Sequence, residues 1–345
     1  MSLELKELAT SRADTWDQTV QHFDRATIFH TRPWLEIVSE VYDARLRLFG
    51  IYEGDEQMGL FPVFSVRKGP FDVLASPLSG WVTPYLGPLV PEGRLGDFIQ
   101  AFEDLLTREG PDYIEIVFPD QREGPFNEKG FSIELRSTYI LDLEPDVDIM
   151  WGKLEGKCRN MVRKAQRNEV QVVVVESDSH FDEYYRMAQE VYEKSNRPPA
   201  IPRSFFLKLW DRLQPIGRIR VLMAEHSGRP IASAIFLTYK DTVYYWDGVS
   251  YREGNRLAPN NLIQWELIQW ATQAGYRRYD MLGADLPGVA HFKGSFGPER
   301  VNYTYIYKGL TSQARLGRVL YRKGMPVVRA LQRKMQNLRR GSAVP

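Results

Sequence analysis

The chain has 345 residues, 43% of them hydrophobic and 26% charged, with a formal net charge of +1. This composition indicates a globular protein with room for two hydrophobic cores. It offers no membrane span, no secretory signal at the amino terminus, no cysteine pair and no HxH or HxxxH spacing, so we expect a cytoplasmic protein without disulfide or metal. The single Cys158 is expected to be a bystander thiol.

The predicted elements of the first half begin with an amphipathic helix, Trp34–Val41, entered through a Thr31 hydroxyl cap and Pro33. A hairpin follows over Arg45–Val66. Next comes a loop rich in Gly, Pro and Ser, Gly69–Pro91, which carries Trp81 and Tyr85 and is either a substrate-lining loop or a packed surface loop. A helix over 95–108 and a buried strand over 113–118 complete this half.

The second half begins near Asp146 or Asp148, either of which would cap a new helix. A strongly basic helix follows, then a strand, two helices, a three-stranded meander and a helix that ends at Gly275. These elements are predicted over residues 153–170, 170–175, 181–194, 203–213, 218–249 and 257–274.

The two halves repeat one another. The hairpin Arg45–Val66 matches Arg218–Tyr239 without a gap, at an offset of 173 residues, and each copy has a Gly in its turn. A helix ending in Gly and followed by a strand comes after both copies. A repeat of this length is the size of a domain, so the sequence predicts two related domains.

The carboxyl-terminal segment is basic. Residues 309–345 carry nine Lys or Arg and no acid, with apolar residues at helical spacing. Such a helix suits an anionic membrane surface, a phosphate-rich RNA or the acidic body of the same protein.

Several strings resemble the Fem-type aminoacyltransferases, whose two domains have the GNAT acyltransferase fold. They are TYILDL, KCRNMVRKAQRNEVQVVV, NNLIQWELIQWATQAGYRRYDMLGAD and HFKGSFGPERVNYTYIYKG. The resemblance implies an α/β fold of the α+β type, with two tandem GNAT-like domains, each a mixed, largely antiparallel sheet flanked by helices. It assigns residues 1–145 to an acceptor-binding domain, 146–308 to a catalytic domain and 309–345 to a basic helical tail.

The resemblance also implies the chemistry, in which a substrate amine attacks an activated carbonyl esterified to transfer RNA. Such a reaction needs positioning and stabilisation of an oxyanion but no side-chain nucleophile. Lys293 matches the family's Phe-Lys-x-x-Phe-Gly position and is the expected stabilising cation. Asp247, and Asp280 or Asp285, lie at predicted strand ends where a carboxylate could receive the proton of the amine.

Further residues are candidates for binding substrate. Arg159, Lys164 and Arg203 are expected to contact phosphate groups of a lipid- or nucleotide-linked glycopeptide or glycan, although a solvated helix face explains them as well. Trp81, Tyr85 and Asn260 complete the predicted binding set.

The donor is the main alternative left open. The stretch YREGNRLAPNNLIQW, at residues 251–265, stands where a coenzyme A-dependent GNAT domain has its pyrophosphate-binding turn, but Pro259 removes one amide donor. We therefore expect aminoacyl-tRNA, with acyl-CoA as the alternative donor and no permanently bound cofactor.

The sequence thus predicts an enzyme that transfers an aminoacyl or acyl group to an amine of a peptidoglycan-precursor-like acceptor. It would work in the cytoplasm, at the inner face of the membrane through residues 309–345. The alternatives are a coenzyme A-dependent N-acyltransferase in exopolysaccharide synthesis and a non-catalytic double-GNAT scaffold that binds a glycolipid or RNA.

Overall fold

One continuous sheet of twelve strands runs through this computed structural model, which describes residues 2–9, 15–193, 199–283 and 287–320. Numbered along the chain, the strands lie across the sheet in the order 1-2-3-4-5-12-6-11-10-9-8-7. Helices lie on both faces. The predicted fold class, a mixed and largely antiparallel sheet flanked by helices, is confirmed.

The first half contains six strands and three helices within the described ranges. The strands are β1 Leu3–Glu7, β2 Arg45–Glu53, β3 Glu56–Lys68, β4 Phe71–Ser76, β5 Tyr113–Val117 and β6 Ser132–Asp142, and the helices are α1 Trp16–Val20, α2 Arg32–Tyr42 and α3 Leu95–Glu109, with a 3-10 turn at Ile28–His30.

Up to Gly309, the described part of the second half has six strands and six helices. The strands are β7 Gln171–Val174, β8 Ile219–His226, β9 Arg229–Tyr239, β10 Thr242–Ser250, β11 Arg278–Asp280 and β12 Glu299–Gly309, and the helices are α4 Val147–Lys153, α5 Gly156–Arg167, α6 His180–Glu193, α7 Arg203–Leu213, α8 Pro259–Gln273 and α9 Pro287–Gly294. A 3-10 turn at Gly254–Leu257 precedes α8.

The repeated hairpins are confirmed. β2 pairs with β3, and β8 pairs with β9, each in antiparallel register. Gly54 and Gly228 have φ of 62° and 70° in the two turns, a left-handed conformation in which glycine has no Cβ clash. The Asp146 cap is also confirmed, because its carboxylate accepts the N–H of Asp148 at 2.8 Å.

Two local predictions in the first half are wrong. The predicted loop Gly69–Pro91 contains the strand β4, which lies between β3 and β5 and is therefore paired on both sides, and its residues 73–76 are buried. Thr31 does precede α2, but its hydroxyl donates backwards to the carbonyl of Ile28 at 2.6 Å and caps no helix N–H. Because the 3-10 turn ends there, that carbonyl is the nearer partner.

The two halves exchange strands. β6, from the first half, pairs with β11, and β12, from the end of the second half, pairs with β5. β6 and β12 also pair with each other over nine residues, from Glu299↔Ile140 to Tyr307↔Ser132. The division of the chain at residue 145 stays a prediction, and the exchange means that each half of the sheet contains a strand from the other half of the chain.

One hydrophobic core joins the halves on one face of the sheet. Phe29, Trp34 and Tyr85 of the first half pack there with Phe205 and Tyr244 of the second. A second core lies between α5, α8 and the strands of the second half on the opposite face. Residues 312–320 are helical, as the predicted tail requires, and residues 321–345 lie outside the described part of the chain.

Candidate active site

A wedge opens in the sheet between β10 and β11. The two strands run parallel but pair only over Thr242–Tyr244 and Arg278–Asp280. β10 then continues to Ser250 along β9, while the chain leaves β11 after Asp280. The carboxyl ends of neighbouring parallel strands that separate in this way form a crevice in which α/β sheets commonly bind ligands.

A β-bulge turns one carboxylate toward this wedge. The register between β10 and β9 shifts between Tyr245 and Asp247, which is how a bulge re-aims side chains beside active sites. The hydroxyl of Tyr184, on α6, donates to Oδ2 of Asp247 at 2.7 Å. Burial raises the pKa of Asp247, while the hydrogen bond from Tyr184 opposes the shift.

Asp280 ends β11 and is the most enclosed carboxylate of the wedge. Oδ1 accepts the hydroxyl of Thr138 at 2.7 Å and the N–H of Leu282 at 3.0 Å, while Oδ2 accepts the hydroxyl of Tyr85. Thr138 lies on the exchanged strand β6 and Tyr85 belongs to the first half. Burial raises the pKa of Asp280 to about 7. The second half therefore presents a carboxyl group whose partners come largely from the first.

Lys293 reaches into the wedge from α9. Its side chain is buried, and its ammonium donates to the carbonyls of Leu282 at 2.5 Å and Gly283 at 3.2 Å. The ammonium also lies 5.3 Å from the ring centroid of Tyr245. Among the described residues, two carbonyls use two of its three N–H donors, which leaves one for a substrate atom.

The electrostatics of Lys293 depend on both acids. Burial lowers the pKa of Lys293 to about 8, while the negative charges of Asp280 and Asp247 oppose that shift. A lysine that titrates near neutrality beside two acids of raised pKa is typical of functional sites. The structure thus brings together two of the three predicted catalytic residues, Lys293 and Asp247; the third, Asp285, lies outside the described residues.

A cavity of about 620 Å³ opens beside Asp280 at the junction of the two halves. Tyr85, Thr138 and Asp280 contribute to its lining, as do the cationic residues Arg25 and Arg278. Arg25 is paired with Asp120 at 2.9 Å. Asp280 therefore links this cavity, which is large enough for part of a substrate, to the ammonium of Lys293.

The turn before α8 is where a coenzyme A pyrophosphate would be expected to bind. Five of the backbone N–H groups in this turn and at the start of α8 already have acceptors within the protein, and that of Arg252 donates to the carboxylate of Glu190 at 3.0 Å. The other N–H groups with such acceptors are those of Gly254, Asn255, Ala258 and Asn261. Phosphate binding at such turns depends on free N–H groups, so this turn is a poor pyrophosphate site.

The predicted phosphate-binding residues lie apart and have other contacts. Nη1 of Arg159 donates to the carbonyls of Trp151, Gly152 and Leu154 at the end of α4, as a helix C-terminal cap does. Arg203 pairs with Asp182 at 2.5 Å on the surface. Lys164 is partly buried on α5. Their part in binding substrate stays a prediction.

The remaining predicted residues have different positions. Tyr85 is buried at Asp280, as described above. Trp81 stacks on Tyr42 at 4.8 Å between ring centroids and packs in the core, so the aromatic part of its loop is largely internal. Asn260, in the first turn of α8, donates to the Ser250 hydroxyl at 3.3 Å.

Sequence reasoning missed Thr138 and Tyr184 as partners of the site. Tyr184 lies in no motif, and Thr138 begins the string TYILDL without indicating its partner. Thr138 reaches Asp280 only through the strand exchange, and Tyr184 reaches Asp247 only through the packing of α6 on β10. Asp280 was recognised as one of two possibilities at a strand end. Successive residues of a strand point to opposite faces, so the buried Tyr279 marks the neighbouring Asp280 as a residue of the strand. This pattern is the signal that distinguishes Asp280 from Asp285 in the sequence.

Comparison with known proteins gives the class. Residues 152–294 match the model of a family described as an acetyltransferase (GNAT) domain. Along nearly its whole length the chain has the fold of a crystal structure of FemX, with a TM-score of 0.68, 13% identity, and coverage of 87% of this chain and 96% of that one. No match was found among curated protein sequences.

Two other solved structures share the fold. The carboxyl-terminal domain of a putative lysylphosphatidylglycerol synthetase from Agrobacterium fabrum has a TM-score of 0.57 at 13% identity, covering 90% of this chain and 96% of that one. A tandem GNAT protein from the clavulanic acid biosynthesis pathway has a TM-score of 0.54 at 12% identity, covering 89% and 98%.

The second half therefore contains a stretch that matches a GNAT domain, and the chain shares the fold of tandem GNAT proteins. The likeness to Fem-type enzymes inferred from sequence is confirmed at the level of the fold. No helix among the described residues combines the length and the apolar character needed to span a bilayer.

Proposed function

We propose that the protein transfers an aminoacyl group from aminoacyl-tRNA to an amine of a lipid- or nucleotide-linked peptidoglycan-precursor-like acceptor, at the cytoplasmic face of the membrane. The second half is the catalytic domain and the first half forms the wall that binds the acceptor. The observation that carries this proposal is the buried Lys293 ammonium in the wedge, within electrostatic reach of Asp247 and Asp280.

The geometry supports direct attack by the acceptor amine. In the proposed reaction a C–N bond forms to the acyl carbon, negative charge develops on the carbonyl oxygen, and the ester C–O bond breaks. The ammonium of Lys293 stabilises that oxygen, because a preorganised cation in a dry site does so without reorganisation. Asp280, as carboxylate, accepts the proton of the amine, and a proton returns to the departing hydroxyl group.

The proposed acceptor site is the cavity of about 620 Å³ at the junction of the halves. An amine bound there lies beside Asp280, while its polar substituents are within reach of Arg25 and Arg278. The donor enters the wedge from the side of β10. Aminoacyl-tRNA is preferred as donor because five N–H groups at the turn before α8 are already bonded, and transfer RNA does not depend on a pyrophosphate cradle.

A transfer assay with labelled aminoacyl-tRNA and a nucleotide-linked peptidoglycan precursor tests the proposal. We expect Lys293→Ala to lower kcat on the order of 10² to 10³-fold, as loss of an oxyanion donor does, and Lys293→Arg to restore part of the loss. Lys129→Ala is the control, since Lys129 pairs with Glu103 at 3.0 Å far from the wedge. Unchanged transfer by Lys293→Ala would contradict the assignment.

A coenzyme A-dependent N-acyltransferase is the second candidate, favoured by the match of residues 152–294 to an acetyltransferase domain. Calorimetry with acetyl-CoA separates the two. The preferred donor predicts no binding in the micromolar range. Saturable micromolar binding that Arg252→Ala leaves intact but Glu190→Ala strengthens would favour coenzyme A, because the N–H of Arg252 would then lose its side-chain acceptor.

A further inference from the structure

The helix over residues 312–320 is held against the first half by one face. Ala314 is buried, and a Cβ added to Gly317 would lie 3.1 Å from the ring of Phe71, so the helix approaches this ring closely. The guanidinium of Arg318 lies 3.4 Å from the ring centroid of Tyr307 and donates to the hydroxyl of Tyr113. These contacts fix the direction in which the opposite face points.

That opposite face is apolar and exposed. Leu316, Val319 and Leu320 are 59%, 48% and 61% exposed, and their i, i+3, i+4 spacing places them together on one side of the helix. Exposed aliphatic side chains occur singly on most surfaces, whereas three on one fixed helix turn form a patch of the kind that marks an interaction site.

Positive charge surrounds this patch. A cavity of about 480 Å³ beside the helix is lined by Lys308, Arg315 and Arg318, and no carboxylate contributes to its described lining. Lys308 lies 3.3 Å from Glu103, but Arg315 is exposed and has no carboxylate partner in the described part of the chain. The sequence after residue 320 adds seven more Lys or Arg and no acid.

We propose that this face of the helix, which we call the tail patch (Arg315, Leu316, Val319 and Leu320), docks the protein on a bilayer that contains anionic phospholipid. The three aliphatic side chains enter the boundary between head groups and acyl chains, and Arg315 with the cationic cavity binds lipid phosphates. This combination of a basic and an aliphatic face is what interfacial helices use. Proteins bind RNA through stacked aromatic rings and polar contacts, so the aliphatic side chains favour lipid over RNA.

The docking surface extends the proposed function. It rests on that function only for the suggestion that a lipid-linked acceptor lies at the same membrane. It places the lipid contact on the first half, next to β12 and away from the wedge. The acceptor could then remain in the bilayer while its soluble part reaches the cavity at the junction.

Co-sedimentation of the full chain with vesicles tests the docking. One set of vesicles contains phosphatidylglycerol and phosphatidylcholine and the other phosphatidylcholine alone. We expect binding to the anionic vesicles, and a loss on the order of tenfold in the partition coefficient for Leu316→Ser/Val319→Ser/Leu320→Ser. Arg315→Glu should weaken binding to the anionic vesicles, and less so at high salt.

The matched control is Ile133→Ser/Leu135→Ser, which makes the same change at exposed apolar residues of β6, at 40% and 54% exposure. It should bind vesicles like the parent, and so should Lys293→Ala, since no donor or acceptor is present in this assay. Equal binding by the triple variant and the parent would overturn the proposal. So would equal losses in the triple variant and the control, or a triple variant that binds vesicles normally but loses a self-association or a transfer RNA interaction of the parent.

Discussion

The first half contains its own version of the wedge, between β4 and β5, and its buried acid is Glu115 instead of Asp280. The two acids occupy matching places: Ala75 lies opposite Phe64 and Glu115, as Tyr244 lies opposite Leu237 and Asp280. Each also accepts a hydroxyl from the exchanged strand beside it, Tyr305 for Glu115 at 2.6 Å and Thr138 for Asp280 at 2.7 Å.

The surroundings of the two acids differ. Glu115 accepts the N–H of Ser79 at 2.6 Å, and the guanidinium of Arg136 covers the ring of Tyr305 at 3.9 Å, so arginine and tyrosine close the first wedge. The second wedge instead has the open cavity and Lys293, whose ammonium keeps one N–H without an acceptor among the described residues. A buried carboxylate is thus shared by both copies, and what distinguishes the proposed catalytic copy is an available cation and room for substrate.

Substitution of the two acids is the strongest test of whether only the second wedge is catalytic. We expect Asp280→Asn to lower kcat for transfer on the order of 10²-fold, because it removes the proposed proton acceptor. Glu115→Gln should leave kcat within about threefold, since no proton transfer is assigned to it. Steady-state kinetics on both variants, with circular dichroism to verify folding, provide the measurement. A loss of kcat in Glu115→Gln as large as in Asp280→Asn would end the assignment of chemistry to one wedge.

The pH dependence of kcat/KM is a second test of the difference between the two wedges. Burial raises the pKa of Asp280 to about 7 and lowers that of Lys293 to about 8, so carboxylate and ammonium coexist mainly between these values. We expect kcat/KM to follow a bell whose limbs, near pH 7 and 8, belong to the coupled pair. Glu115→Gln should keep this bell. A flat profile from pH 6 to 9 would mean that neither group takes part.

The raised pKa of Asp280 also makes the stability of the folded protein depend on pH. The folded Asp280 holds its proton more tightly than the unfolded one, whose pKa is about 3.8, so its contribution to stability is full below pH 4 and is lost as the pH rises through 7. Asp280→Asn should therefore become more stable relative to the parent between pH 5 and pH 8. Urea unfolding at the two pH values measures the difference. The pKa of Glu115 is also raised by burial, so Glu115→Gln should change in the same direction.

Removing the hydroxyl donors should give the smallest effect. Tyr85→Phe deletes one hydrogen bond to the carboxylate of Asp280, which raises the pKa of that group further and moves the acid limb upward. We expect a decrease in kcat at pH 7 on the order of tenfold or less and a loss of about 1 kcal/mol in the free energy of unfolding. Tyr305→Phe, the counterpart at Glu115, should lose similar stability and leave the pH profile in place.

The sequence predicts the fold well where the signal is local. Both hairpins, the helix that ends at Gly110 and the one that ends at Gly275 follow from alternation, helical spacing and glycine stops. β4 was missed because a central strand flanked by Gly, Pro and Ser reads as a loop. Its pairing with β3 and β5 is set by contacts about 10 and 40 residues away in the chain.

The candidate site is predictable in part for the same reason. Lys293 and Asp247 stand in short motifs, so sequence alone selects them. Tyr85 was selected as a loop aromatic, but its contact with Asp280 spans 195 residues and depends on the packing of the halves. The sequence predicts Arg159 as a phosphate-binding cation because it lies on one face of a basic helix. No sequence rule reveals that it reaches back to the carbonyls of the preceding helix.

The exchange of β6 and β12 also limits how the enzyme can move. Nine paired residues join the two strands, and each is bonded on its other side to the opposite half, so a hinge between the halves would have to tear the ladder at the centre of the sheet. Opening and closing as two jaws is thereby ruled out as a low-energy motion. Substrate entry and product exit fall to the side chains and connecting segments at the rim, while the strands that carry Thr138 and Asp280 keep their relative positions.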